Sequence, residues 1–162
     1  MARALIVGCG CRGRELAAEL AGRGWQVRGT SRHQEGLDEI GAAGFEAAEA
    51  DPDRPGTVLD LCGDVAVVVW LLGSSRGDEA VVSAVHGPRL ERLLEKLVDS
   101  PVRAFTYETA GLVDAGLLAA GREIVERAGE TWRIPVAFLT ADRDEPGWAA
   151  RSAETVAGLL AG

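Results

Sequence analysis

Lysine is nearly missing from this chain. Of its 17 basic residues only Lys96 is a lysine, and the rest are arginines. Tyrosine and methionine also occur once each, as Tyr107 and Met1. The three cysteines, Cys9, Cys11 and Cys62, are an odd number in a long chain, which predicts free thiols in a reducing compartment and no disulfide framework. Long apolar runs are absent: the longest, 65–72, is far too short to cross a bilayer. Gly8 and Gly10 cut the first apolar run after 4–7, so the N-terminus shows no secretory pattern. Basic charge is in deficit too. The formal charge of −8 argues against a general nucleic-acid binder, because phosphate contacts need a basic face. These absences predict a soluble, cytoplasmic protein with neither a membrane nor a nucleic acid as partner.

What is present is enough to build a core. Apolar residues make up 47% of 162 positions, which predicts one domain, 1–162, with a single sizeable core. Short apolar runs alternate with longer amphipathic ones. The pattern predicts strands over 4–7, 25–30, 45–50, 65–72, 102–106 and 135–139. It predicts helices over 14–23, 37–43, 56–62, 78–85, 89–98, 114–130 and 148–160. The run 65–72 has no polar alternation, so both its faces are buried, as in a parallel sheet. Strand–helix alternation of this kind belongs to the α/β class. It predicts a doubly wound parallel sheet of about six strands, with helices on both faces in three layers.

The turn after the first strand reads Gly8-Cys9-Gly10-Cys11-Arg12-Gly13, with the Gly-x-Gly-x-x-Gly spacing of a dinucleotide-binding loop. Gly8 would allow the tight turn, Gly10 the approach of a pyrophosphate, and Gly13 close packing of helix on strand. The helix start then offers unpaired N–H groups to the anion. A P-loop is excluded, because Gly13 is followed by Arg14-Glu15 and not by Lys-Ser or Lys-Thr. S-adenosylmethionine, and with it a methyltransferase, remains a minor alternative. The second strand ends in Thr30-Ser31-Arg32, where an NAD reader would carry a carboxylate. Ser31 and Arg32 suit a 2′-phosphate, so NADP(H) is preferred over NAD(H).

With those residues in place, the chain resembles the atypical extended short-chain dehydrogenases/reductases, in particular the NAD(P)-binding, nucleoside-diphosphate-sugar epimerase-like Rossmann proteins. The resemblance is carried by "GWQVRGTSR", "GLDEIGAAGFEA", "DVAVVVWLLGS", "PVRAFTYETAG" and "GREIVERAGETWRIPVAFLTAD". It covers most of this chain but only about half of a usual extended member, whose C-terminal substrate region has no counterpart here. It implies that Asp51 contacts the adenine region and that Leu72, Gly73 and Ser74 lie beside the cofactor ribose. Thr109 falls where the family places a hydroxyl that holds the reacting group.

The family's Tyr-x-x-x-Lys pair is absent. Tyr107 and Lys96 occur in the reverse order, eleven positions apart, and the matching helix positions are Ala115 and Ala119. The expectation is therefore a dinucleotide-binding protein that is non-catalytic or regulatory. The alternative is an NADP-dependent oxidoreductase or epimerase-like enzyme with a degenerate site made from Thr109, Tyr107, Glu108 and Ser74. Cys9 and Cys11 make a poor zinc site, having no third or fourth ligand nearby, and no metal is expected. His86 reads as a turn residue, while Trp70 and Trp148 read as core. Stretches 89–98 and 114–130 are the expected faces of a homodimer.

Overall fold

A computed structural model describes residues 2–161. Six strands form one sheet: β1 Arg3–Val7, β2 Gln26–Ser31, β3 Glu46–Glu49, β4 Val67–Trp70, β5 Ala104–Glu108 and β6 Val136–Leu139. Their order is β3-β2-β1-β4-β5-β6, and every pairing is parallel. Seven helices connect them: α1 Cys11–Gly22, α2 Gln34–Ala42, α3 Pro55–Leu59, α4 Glu79–Val85, α5 Pro88–Leu97, α6 Ala115–Trp132 and α7 Trp148–Gly158. Every expected element is present. β5 runs on through Tyr107 and Glu108, two residues beyond the predicted 102–106, while α1 and α2 each begin three residues earlier than predicted and α3 ends three earlier.

Alternation along each strand sorts the core into two halves. Leu5, Val7, Val68, Trp70, Phe105 and Tyr107 face α3, α4, α5 and α6. Ala4, Ile6, Val27, Val67, Val69 and Ala104 face α1, α2 and α7. Both faces of β1 and β4 are therefore apolar and dry, which accounts for the continuous run at 65–72. Trp70 and Trp148 are both buried, as the sequence predicts. The strand order reverses between β1 and β4, and loops leaving the carboxyl edge there diverge to opposite faces. Sheets of this kind leave a crevice at that point. No helix among the described residues is long and apolar enough to cross a membrane.

Candidate functional site

The glycine loop is shaped by two close approaches. Gly8 has φ +90°, and a Cβ there would lie 2.5 Å from the Leu71 carbonyl oxygen, so neither the conformation nor the space admits a side chain. Gly10 is the N-cap of α1 and makes no side-chain cap, and a Cβ on it would meet nothing within 4 Å. The first is needed for the fold. The second leaves the helix start open from outside. Cys9 is buried beneath the loop, where Gly13 and Gly29 make room: a Cβ on Gly29 would lie 2.7 Å from its sulfur. Burial pushes the Cys9 thiol up to about 11. Cys11 begins α1 and is exposed.

A cleft of about 330 Å³ runs along the carboxyl edge above the reversal point. Among the residues proposed for cofactor binding, Gly8, Gly10, Ser31, Arg32, Asp51, Leu72 and Ser74 line it. Cys11, Arg12, Gly13 and Gly73 do not. The Arg12 guanidinium turns to Glu15 and to Asp144, at 3.0 and 2.8 Å. Gly13 packs against Cys9 below the loop. Gly73 spends its N–H on Glu108, at 2.8 Å.

Ser31 sits where it does because of Gly36: a Cβ on Gly36 would collide with the Ser31 side chain. The Ser31 oxygen accepts the His33 N–H at 3.2 Å. A second hollow shares Arg32, Ala50 and Asp51 with the cleft and adds Glu49, Arg54 and Thr57. Asp51 is held by its neighbours. Its N–H donates to the Thr57 hydroxyl at 2.9 Å, and its carboxylate accepts the Asp53 N–H at 2.9 Å.

Sequence reasoning passed over several cleft residues. Arg14 pairs with Glu39 at 3.1 Å, and both line the cleft. Ser75, Arg76 and Arg143 line it as well. Arg14 is legible as the residue after the last loop glycine. Arg143 lies 130 or more positions from the loop, and nothing local marks it.

The three residues considered for catalysis, Thr109, Tyr107 and Glu108, are not among those that line the cleft. Tyr107 is fully buried on the α6 side of the sheet, and its hydroxyl lies 2.6 Å from Nδ1 of His86. Burial, with Glu108 nearby, pushes the Tyr107 hydroxyl well above the usual phenol range. His86 occupies a turn after α4, as read, but it is buried there and structural. Glu108 is fully buried and paired with Arg143. The Thr109 hydroxyl donates to the Leu139 carbonyl at 3.3 Å. Ser74 accepts the Leu112 N–H, and Gly73 accepts the Val113 N–H, so the loops after β4 and β5 are stitched together. Ala115 and Ala119 are exposed on α6, and Lys96 is exposed on α5. Among the described residues, no group of three or more His, Cys, Asp or Glu could hold a metal ion.

No family model and no curated protein matches the sequence. Solved structures do match the fold. UDP-glucuronic acid 4-epimerase from Bacillus cereus, in complex with NAD, superposes with a TM-score of 0.64 at 14% identity, over 84% of this chain and 55% of that one. Triphenylmethane reductase from Citrobacter sp., complexed with NADP(H), gives 0.64 at 17%, over 84% of this chain and 48% of that one. A putative NAD-dependent epimerase/dehydratase from Bacillus halodurans gives 0.67 at 16%, over 85% and 69%. The chain spans about half the length of the epimerase and the reductase. Its six-stranded parallel sheet with flanking helices is the Rossmann-type fold of these proteins, and the resemblance to extended short-chain dehydrogenases/reductases holds at the level of fold.

Proposed function

We propose that the cleft binds a nicotinamide dinucleotide, with NADP(H) preferred over NAD(H), and that the chain is a cofactor-binding protein that does not use the Tyr–Lys proton-transfer chemistry of the family it resembles. The observation that carries this reading is that one cleft is lined by Gly8 and Gly10 at one place and by Ser31 and Arg32 at another. An open helix start suits a pyrophosphate. A hydroxyl and an arginine at the end of β2 suit a 2′-phosphate, which a carboxylate at that position would repel. Arg54, in the adjoining hollow, adds a second cation near Arg32. Asp51 suits the adenine end, and Leu72 and Ser74 the ribose next to the nicotinamide.

When bound, the nicotinamide ring can give or take a hydride. What the chain lacks is a matched acid. Tyr107 holds its proton against His86 in the core, and Ala115 and Ala119 stand where the family's pair would be. A regulatory or cofactor-sensing role is therefore favoured over an oxidoreductase or epimerase. The test is a fluorescence titration with NADPH, NADH and S-adenosylmethionine in parallel. NADPH binding well ahead of the other two supports the reading; preference for S-adenosylmethionine overturns it. Turnover of NADPH with a panel of ketones and nucleotide sugars would move the protein to the enzyme class.

The same proposal includes a homodimer through α5 and α6. Trp132 is 44% exposed beside Leu94 and Ile124 in the groove between these helices, and Leu112, just before α6, is 77% exposed. Sedimentation at micromolar concentration checks it, and a monomer would count against it.

A further inference from the structure

The end of the cleft at β4, β5 and β6 carries a charge pair that the dinucleotide reading does not use. Glu108 closes β5 with no exposure at all. Arg143, between β6 and α7, meets it with two N–H groups. Nε donates to Oε2 at 2.7 Å, and Nη2 donates to Oε1 at 2.7 Å. Nη2 also donates to the Leu71 carbonyl at 3.0 Å, and Oε1 also accepts the Gly73 N–H at 2.8 Å. The guanidinium is thus pinned in one orientation against the loop that follows β4. Its Nη1 makes no hydrogen bond to any described residue, while the side chain, 20% exposed, lines the cleft.

A buried ion pair is a poor way to gain stability. Desolvating both charges offsets most of their attraction, and apolar side chains of similar volume often fold as well. A pinned, largely desolvated arginine with donors left over is well suited to something else, namely a bound oxyanion. Two further observations agree. The cleft lining carries Arg14, Arg32, Arg76 and Arg143 against Glu39 and Asp51, in a chain whose formal charge is −8. The Ser75 hydroxyl, in the same lining, is buried without a hydrogen-bond partner among the described residues.

We infer that Arg143, positioned by Glu108, binds a phosphate or carboxylate oxyanion of whatever occupies the cleft, at a site separate from Ser31 and Arg32. Two sources carry that chemistry: the pyrophosphate of a dinucleotide, or an anionic group on a second small molecule beside it. The second source rests on the dinucleotide reading; the oxyanion site itself does not.

The probe is inorganic pyrophosphate, followed by phosphorus NMR on the full chain, with NADPH and NADH titrated by fluorescence. Three variants are compared by binding and by thermal melting. Arg143→Lys keeps a positive partner for Glu108 but leaves no nitrogen to face the cleft. Glu108→Gln/Arg143→Met removes both charges, so no carboxylate is stranded if the single changes unfold. Glu108→Gln alone leaves the arginine but loosens its hold, and a merely structural role for Glu108 would move the melt without moving pyrophosphate affinity.

The expected result is pyrophosphate binding by the wild type, weakened at least tenfold in all three variants while each still melts cooperatively. If NADPH and NADH weaken equally alongside it, the oxyanion belongs to the cofactor. If both dinucleotides stay within twofold, it belongs to a second molecule. Wild-type protein that fails to bind pyrophosphate, or variants that bind it within twofold of wild type, overturn the inference. Pyrophosphate binding through Arg143 without any dinucleotide binding would overturn the functional reading and leave this site standing.

Discussion

The Tyr107 hydroxyl and the His86 ring form a buried pair, with 2.6 Å between the oxygen and Nδ1. Nε2 of His86 lies 2.9 Å from the Leu72 carbonyl, which can only accept, so the ring proton sits on Nε2. Nδ1 must then accept the tyrosine proton. Tyr107, the one tyrosine of the chain, is thereby committed to holding the α4 turn against the strand below the cleft.

This pair makes the fold sensitive to acid. Burial lowers the His86 pKa below its ordinary 6.5. Between 6.5 and that lower folded value the unfolded chain binds more protons, so stability is full above pH 6.5 and declines as pH falls. The melting temperature should drop from pH 7.5 to 5.5 by more in the wild type than in His86→Gln. That variant keeps a donor and an acceptor but cannot titrate. Equal drops would show that His86 does not set the acid limit.

Gly8 and Gly10 should separate folding from binding. Gly8→Ala forces an alanine to φ +90° and a methyl onto the Leu71 carbonyl. A cost of about 2–4 kcal/mol is expected, seen as a lower denaturation midpoint. Gly10→Ala meets open space and should lose about 1 kcal/mol or less, the difference between caps. Its methyl stands where a ligand would approach, so NADPH affinity should fall at least tenfold in a folded protein. Intact binding by Gly10→Ala would place the ligand elsewhere.

Arg32→Ala should cost selectivity. A charged hydrogen bond to a phosphate is worth about 1.5–3 kcal/mol, which is roughly 10- to 150-fold in Kd. NADPH should weaken by that factor and NADH by less than twofold, because Arg32 lines the cleft at the β2 end only. Equal losses for both dinucleotides would assign Arg32 to some other contact.

The thiols should react unequally. Cys11 is exposed, while Cys9 and Cys62 are buried and each pushed up to about 11 by burial. Alkylation of the native protein at pH 7.5 should modify Cys11 first, and the other two only after denaturation, as read by mass spectrometry. NADPH should slow the Cys11 reaction if it covers the start of α1.

Gly121 offers a purely structural test. A Cβ there would collide with the Tyr107 hydroxyl, so α6 lies directly on the ring. Gly121→Ala should destabilise the protein by about 1–3 kcal/mol with no selective effect on ligand binding. A neutral change in the melt would mean that α6 can shift off the ring at little cost.

All thirteen elements were legible in the sequence, because each depends on local signals: the continuous apolar run at β4, the glycines that close α1, the Gly87-Pro88 break between α4 and α5. So was the glycine loop with Ser31 and Arg32, since a strand–turn–helix unit brings them together within one βαβ stretch. The end of β5 was not. Tyr107 and Glu108 read as loop residues because a buried tyrosine and a buried glutamate break the apolar pattern, and only distant partners make them tolerable: His86 for one, Arg143 and the Gly73 N–H for the other. Short-range periodicity and turn chemistry decide a fold of this kind within each segment. Which polar groups can be buried, and which cation faces the cleft, is decided only when segments far apart in the chain meet at the carboxyl edge of the sheet, because a buried charge is stable only beside the group that neutralises it.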